Sequence, residues 1–153
     1  MIVYLVRHAD AGGRRPRGQD HKRPLNERGA RRAEAIADEL PTPARVASSP
    51  ALRCRQTVEP LALRHGLVVE EVDELFEGSD PLVSLAWLVD HGSDTGPLVC
   101  ASHGDLIPEL VEHLINQGAL IDGGRTSFAK GSVWELTFEK STCTRARCVS
   151  SGT

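Results

Sequence analysis

The sequence contains few aromatic residues and no long apolar run. Aromatic side chains make up 4% of the 153 residues, so Val, Leu, Ile and Ala must fill most of a hydrophobic core. No stretch approaches the roughly 20 apolar residues that a transmembrane helix needs, so we expect no membrane association. The length is that of one ordinary domain, and we predict a single domain over residues 1–149, followed by a disordered tail over residues 150–153.

Metal-type cysteine spacing and an export signal are also missing. The four cysteines follow none of the spacings of zinc sites, and no basic region precedes the short first apolar run. We therefore expect a cytoplasmic protein with reduced thiols, in which Cys54 and Cys100 are small buried hydrophobic residues. A disulfide between Cys143 and Cys148 is the less favoured alternative.

Basic residues are absent from one long stretch and concentrated in another. Lys and Arg do not occur in residues 65–124, whereas residues 14–32 carry eight basic and two acidic side chains. We predict that Arg31 and Arg32 are solvated, since runs of charge usually face water. The preceding part, residues 14–23, is called the basic loop below. Its basic residues are Arg14, Arg15, Arg17, Lys22 and Arg23.

The basic loop directly follows the first apolar strand, so we expect it to border a functional site. A positive rim attracts anionic substrates and raises the rate of encounter. His21 lies in the same loop, so we expect this histidine to lie near the site as well. Nucleic acid would also be attracted, but no aromatic residues are interleaved for base stacking. We therefore expect no nucleic-acid partner.

Two apolar runs each end in a histidine. Residues 2–6 lead directly to Arg7 and His8, and residues 98–102 lead to His103. Ligands of open α/β sheets bind outside the carboxyl ends of the strands. Between these runs, Ser49 and Pro50 are a favourable N-cap and first residue of a helix whose first turn contains Arg53. Together these residues indicate a phosphate-handling site.

Strands alternate with helices along the chain, which predicts a mainly parallel sheet covered on both faces. A glycine-containing loop over residues 118–128 is expected to border the site. Pro60 is expected to kink or break its helix. The predicted strands are residues 2–6, 45–47, 67–72, 97–101, 133–138 and an edge strand at 145–149; the predicted helices are residues 26–40, 50–65, 81–90 and 107–117.

These motifs resemble those of the histidine phosphatase superfamily, which includes phosphoglycerate mutases and acid phosphatases. Arg7-His8 resembles the defining motif, and residues 24–34, 48–57 and 102–104 resemble the further motifs in the family's order. The short bacterial phosphohistidine phosphatase-like branch fits best. The resemblance implies an α/β protein, specifically a three-layer α/β/α sandwich with a mainly parallel central sheet, like that of phosphoglycerate mutase.

The resemblance also implies a phosphatase that needs no metal or other cofactor. His8 attacks phosphorus and forms a phosphohistidine, while Arg7 and Arg53 bind the phosphoryl oxygens. His103 contacts the same oxygens, and Glu77 protonates the leaving oxygen, with Glu74 as the alternative acid. We extend the substrate-binding set to three residues of the basic loop: Arg14, Lys22 and Arg23.

The pattern leaves alternatives open. The chain resembles Nudix-fused relatives that act on nucleotides or small phosphate esters, and a non-catalytic phosphate-binding module would also keep the arginines. His8 with Asp10, and His103 with Asp105, form two His-x-Asp pairs that zinc accepts as ligands. The neighbouring arginines disfavour that alternative because they repel a cation. We expect an anionic phosphorylated partner, either a small molecule or a phosphoprotein.

Overall fold

The computed structural model describes residues 1–16 and 18–152. Arg17 and Thr153 lie outside the described residues. Strands and helices alternate along most of the chain, and short 3₁₀ helices occur at Asp20–Lys22 and Asp73–Leu75. The elements are β1 (Ile2–Arg7), α1 (Glu27–Glu39), β2 (Arg45–Ser48), α2 (Leu52–Arg64), β3 (Val69–Glu71), α3 (Pro81–His91), β4 (Leu98–Ser102), α4 (Leu106–Asn116), β5 (Leu120–Asp122), β6 (Val133–Glu139) and β7 (Thr142–Ser150).

The strands form one seven-stranded sheet in the order β3-β2-β4-β1-β6-β7-β5. The pairs β3/β2, β2/β4, β4/β1 and β5/β7 are parallel, whereas β1/β6 and β6/β7 are antiparallel. The sheet is therefore mainly parallel. Because β4 lies directly beside β1, the two strands that lead to histidines end next to each other.

Alternate residues of β1 supply two separate hydrophobic cores. Val3 and Leu5 pack on one face in a cluster that also contains Leu88 of α3 and Leu110 of α4. Tyr4 and Val6 lie in the other cluster, together with residues of α1 and α2. This period of two follows from the pleat of a strand, whose successive side chains point to opposite faces. The predicted three-layer α/β/α sandwich is confirmed.

Predictions for three elements, β5, β7 and α2, need correction. Residues 118–128 are not entirely a loop, because β5 forms there and pairs with β7, so β7 is an interior strand rather than an edge strand. All three residues of β5 are exposed, and this short strand lacks the buried alternation that identifies a strand in a sequence. Helix α2 is not broken at Pro60 and continues to Arg64. Pro60 has no backbone N–H, so α2 lacks one backbone hydrogen bond. The helix tolerates this loss because most of the stability of a helix in a protein comes from its packing.

Arg32 is buried, contrary to our expectation, whereas Arg31 is exposed as expected. The Arg32 guanidinium donates to the carbonyl oxygen of Gly131 at 3.0 Å, pairs with Glu39 at 2.7 Å and donates to Ser150 Oγ at 2.6 Å. A buried charge must be paired in this way, and the sequence does not show these distant partners.

Residues 150–152 make contacts where we expected a disordered tail. Ser150 is the last residue of β7, the carbonyl oxygen of Ser151 accepts from Ser127 Oγ at 2.8 Å, and Gly152 is buried.

Each of the four cysteines is buried and free, so the alternative disulfide is not formed. None of the described helices has the length and apolar character needed to cross a membrane.

Candidate active site

The histidines that follow β1 and β4 meet at one edge of the sheet. Arg7 is the register partner of Ser102, and the backbone N–H of His8 donates to the carbonyl oxygen of Ser102 at 3.0 Å. The centroids of the His8 and His103 imidazole rings are consequently 5.7 Å apart, and the rings meet edge to face. These side chains border a cavity of about 380 Å³, called the phosphate cavity below. Among the residues predicted for catalysis, it is lined by Arg7, His8, Arg53, Glu77 and His103.

One backbone hydrogen bond determines the tautomer of His8. Its Nδ1 lies 2.9 Å from the carbonyl oxygen of Ala9, and a carbonyl can only accept, so Nδ1 carries the proton. The lone pair of the neutral ring is therefore on Nε2. The pKa of His8 is lowered to about 4, mainly by burial and in addition by the positive charges of Arg53 and Arg7. His8 is thus a neutral base at pH 7.

His103 is oriented from both sides of its ring. Nε2 lies 2.7 Å from Ser49 Oγ, and Nδ1 lies 3.3 Å from Nη2 of Arg53, which can only donate. Nδ1 is therefore the acceptor in this arrangement, although we expected His103 to donate to a substrate. The Ser49 hydroxyl can accept or donate, so either neutral tautomer keeps this bond. Burial lowers the pKa of His103 to about 3, with the charge of Arg53 as the next cause.

The two arginines are fixed by backbone and acidic groups. Arg7 Nη1 donates to the carbonyl oxygen of Phe128 at 2.7 Å. Arg53 is 1% exposed, and its guanidinium lies 3.1 Å from the carbonyl oxygen of Asp20 and 3.3 Å from Glu77 Oε2. Gly104 lies against Arg7, and a Cβ there would come within 2.5 Å of Arg7 Cζ. The absence of a side chain at position 104 therefore leaves room for the Arg7 guanidinium.

The two candidate acids differ in position. The Glu77 carboxylate is 3.3 Å from Arg53 Nη2 and 3.9 Å from His103 Nδ1, and it lines the phosphate cavity. Glu74 is not among the lining residues, and its carbonyl oxygen accepts from the buried Ser84 hydroxyl. The structure thus brings Glu77, and not Glu74, to the other predicted site residues.

The basic loop contributes part of what we expected. Arg14 and Arg23 line the phosphate cavity, whereas Lys22 is exposed and is not among the lining residues. Arg15 is exposed, and Arg17 lies outside the described residues. Arg23 is buried, and its Nη1 donates to the carbonyl oxygen of Gly12 at 2.9 Å.

Three charged residues of the cavity were not predicted as site residues. Asp20 pairs with Arg23 at 3.1 Å and with Arg53 at 3.4 Å, so the basic loop also brings a carboxylate to the arginines. Lys130 pairs with Asp10 at 3.3 Å. Asp105 accepts from the backbone N–H of Gly78 at 2.8 Å and thereby holds the segment that carries Glu77. Asp105 stood out in the sequence only as a possible metal ligand, and no pattern indicated Asp20 or Lys130.

The alternative zinc site is not formed by the part of the chain that the structure describes. No cluster of three or more His, Cys, Asp or Glu side chains that could hold a metal ion occurs within residues 1–16 and 18–152. Asp10 instead accepts a hydrogen bond from Asn26 Nδ2 at 2.8 Å. Five cationic side chains and three carboxylates line the phosphate cavity, so its lining carries a net positive charge, which suits an anion.

Known proteins with solved structures share the fold. A SixA protein histidine phosphatase in complex with tungstate superimposes with a TM-score of 0.75 at 25% identity, and the match covers 94% of this chain and 93% of that one. A SixA described as a putative phosphohistidine phosphatase, from Agrobacterium tumefaciens, gives a TM-score of 0.72 at 26% identity, with 97% and 94% covered.

Sequence comparison identifies the family. An 8-oxo-(d)GTP phosphatase of Mycolicibacterium smegmatis is 34% identical over an alignment of 149 residues, and the match covers 88% of this chain and 44% of that protein. The chain therefore spans less than half the length of this curated relative. The model of the histidine phosphatase superfamily (branch 1) matches residues 3–79, the half of the chain that contains Arg7, His8 and Arg53. The chain belongs to the histidine phosphatase superfamily.

Proposed function

We propose that this chain is a metal-independent phosphatase that hydrolyses phosphomonoesters or phosphohistidine through a phosphohistidine intermediate on His8. The observation that carries the proposal is the hydrogen bond from His8 Nδ1 to the carbonyl oxygen of Ala9. This bond leaves the Nε2 lone pair free for attack beside two arginines. Family membership and the phosphatase relatives support the same chemistry.

The proposed reaction has two balanced steps. In the first, His8 Nε2 forms a bond to phosphorus as the bond to the leaving oxygen breaks, and Glu77 gives its proton to that oxygen. In the second, water attacks the phosphohistidine, Glu77 takes a proton from the water, and inorganic phosphate leaves. Arg7 and Arg53 stabilise the charge that spreads over the equatorial oxygens in both steps.

His103 and the basic loop complete the proposal. A phosphoryl group that takes over the hydrogen bond of Arg53 frees His103 Nδ1. The tautomer in which Ser49 donates to Nε2 can then donate from Nδ1 to a phosphoryl oxygen. Arg14 and Arg23 contact the substrate from the cavity wall, while the exposed Lys22 attracts anions at the rim. Four free cysteines are consistent with the proposed cytoplasmic location.

A nucleotide is the second candidate substrate. The observation in its favour is the similarity to the mycobacterial 8-oxo-(d)GTP phosphatase, which covers most of this chain. The same two-step chemistry applies: His8 takes the terminal phosphoryl group, and the remainder of the nucleotide is the leaving group. If the chain binds phosphate compounds without hydrolysing them, it is instead a non-catalytic phosphate-binding module.

Hydrolysis of p-nitrophenyl phosphate, with and without a chelator, tests the proposal. We expect chelator-resistant turnover in the wild type and a loss of at least about a thousandfold in His8→Ala, since the nucleophile is removed. His65→Ala is the matched control, because His65 lies at the far end of α2 from Arg53. Loss of wild-type activity on chelation contradicts metal independence, and full activity in His8→Ala contradicts the role of His8.

A further inference from the structure

Three arginines of the phosphate cavity are oriented in the same way. In each of them Nη1 donates to a backbone carbonyl oxygen: Arg7 to Phe128 at 2.7 Å, Arg23 to Gly12 at 2.9 Å and Arg53 to Asp20 at 3.1 Å. The Nε N–H group of each is buried and forms a hydrogen bond with no described residue. The backbone therefore holds all three guanidinium groups, and each group keeps one buried donor without an acceptor.

Donors of this kind favour tight binding of an oxyanion. A buried donor without a partner costs free energy, which is recovered when an anion oxygen accepts from it. Hydrogen bonds between a guanidinium group and a phosphate are charge-assisted and stronger than neutral ones. Inorganic phosphate, the product of the proposed reaction, carries the same oxygens as the transferred group. A cavity that binds this group tightly also retains the product, and slow product release limits many enzymes.

Three carboxylates oppose the positive charge of the cavity, and two of them have another task. Glu77 is the proposed acid, and Asp105 accepts from the backbone N–H of Gly78 at 2.8 Å. The third carboxylate is that of Asp20, which lines the cavity from the basic loop. Its Oδ1 atom is buried and accepts no hydrogen bond from the described residues. The negative charge of Asp20 is therefore the one that the proposed chemistry does not use.

The Asp20 carboxylate lies between two of the arginines. Its Oδ1 is 3.1 Å from Arg23 Nε, and its Oδ2 is 3.4 Å from Arg53 Nη1. Because backbone carbonyl oxygens hold both guanidinium groups, their orientation is set without this carboxylate. Burial raises the pKa of Asp20, but the charges of Arg23 and Arg53 act in the other direction, and the pKa is lowered overall. The side chain thus adds a negative charge to the cavity at pH 7.

We propose that Asp20 sets the affinity of the phosphate cavity for inorganic phosphate and thereby speeds the release of this product. The inference rests on the proposed function. A phosphate ion that binds Arg23 and Arg53 lies beside the carboxylate that contacts both, and two anions repel each other strongly in a partly buried site. This repulsion offsets part of the attraction by the arginines. The 3₁₀ turn that carries Asp20 buries none of its residues, so the charge can be changed without altering either hydrophobic core.

Asp20→Asn tests this role, because it removes the charge and keeps the backbone carbonyl oxygen that holds Arg53. Calorimetry with inorganic phosphate should give a Kd about tenfold lower in Asp20→Asn than in the wild type. In hydrolysis of p-nitrophenyl phosphate, the Ki of phosphate and the KM should fall by a similar factor without a rise in kcat, since the repulsion acts on every bound anion. If the carboxylate instead orients the arginines, Asp20→Asn weakens phosphate binding and raises KM, and that result overturns the inference.

Further variants separate the charge of Asp20 from other effects. Asp20→Glu keeps the charge and should bind phosphate as the wild type does. Asp94→Asn changes the net charge of the protein by the same amount, at an exposed position that does not line the phosphate cavity, and should also bind as the wild type does. Binding in either control as tight as in Asp20→Asn overturns the assignment to the Asp20 charge. Asp20→Ser removes the same charge and takes the place of Asp20→Asn if urea unfolding shows that Asp20→Asn is not folded.

Phosphate binding is measured without turnover, so the inference and the proposed function can fail separately. If the wild type hydrolyses p-nitrophenyl phosphate but Asp20→Asn binds phosphate no more tightly, the inference is overturned and the phosphatase stands. If the wild type hydrolyses neither phosphomonoesters nor phosphohistidine, the proposed function fails, and tighter phosphate binding in Asp20→Asn still supports the role of the charge. No detectable binding of phosphate to either protein overturns the inference.

Discussion

At the residue scale, the orientation of His8 depends on a short chain of hydrogen bonds from α2. Thr57 Oγ1 donates to the carbonyl oxygen of Arg53 at 2.7 Å and accepts from the backbone N–H of Ala9 at 3.0 Å. The peptide group of Ala9 is thereby fixed, and its carbonyl oxygen in turn holds His8 Nδ1. Arg53, the proposed phosphate-binding residue, and His8, the proposed nucleophile, are thus aligned through the same turn of helix.

Both site histidines should make the stability depend on pH. Burial lowers the pKa of His8 to about 4 and of His103 to about 3, against 6.5 for an ordinary histidine. As the pH falls from 6.5 toward 4, the unfolded chain binds protons that the folded chain excludes, so stability is lost in that window. We expect each histidine to contribute about 2 kcal/mol to the loss between pH 7 and pH 5. Urea unfolding at both pH values measures it.

The matched comparison for this prediction is between His8→Gln and His65→Gln. His8→Gln should lose about 2 kcal/mol less than the wild type between pH 7 and pH 5, whereas His65→Gln should behave as the wild type does. An identical loss in the wild type and His8→Gln would show that His8 titrates normally in the folded protein.

At the element scale, helix α1 packs end-on against the loop that follows β1. Asn26 caps the helix through its side chain, which accepts from the backbone N–H of Gly29 at 2.9 Å, and its own N–H donates to the carbonyl oxygen of Asp10 at 3.1 Å. A Cβ on Gly29 would overlap this carbonyl oxygen. Glycine at position 29 therefore allows the helix to approach the strand end that carries His8.

Gly29→Ala should destabilise the protein. Alanine in a helix is normally preferred over glycine by about 1 kcal/mol, but here the overlap with Asp10 outweighs that preference. We expect a net loss of about 1–3 kcal/mol in the free energy of unfolding, as for other overpacked sites. Gly12→Ala is the control, because a Cβ there meets no atom within 4 Å. Equal stability of the two variants in urea unfolding would contradict the close approach.

The elements that could be predicted from the sequence are those with a strong local signal. Helix α1 has an Asn N-cap and a clear apolar face, and β1 and β4 are continuous apolar runs. The strand β5 was missed because its three residues are exposed and its pairing with β7 connects distant parts of the chain. Partners separated by many residues, such as Arg32 and Ser150, leave no local pattern either.

At the scale of the whole molecule, the candidate site depends on adjacent parallel strands. Arg7, His8 and His103 could be placed together from the sequence because each follows the carboxyl end of an apolar run. The loop over residues 118–128 was also expected to border the site, and its Phe128 carbonyl oxygen accepts from Arg7. Lys130 could not be placed there, because its side chain lies more than 100 residues from β1 in the sequence and no pattern marks it. Only the folded chain brings Lys130 to the site.

The most direct test of the account is a rapid-quench measurement of a single turnover, followed by peptide mass spectrometry at a pH that preserves phosphohistidine. With p-nitrophenyl phosphate as phosphoryl donor, we predict one acid-labile phosphoryl group on the peptide that contains His8, formed before inorganic phosphate appears. His103→Gln should retain the modification at a reduced rate, and His8→Ala should show none. Turnover with no phosphoryl group on His8 at any time, or with the group on another residue, would contradict the account.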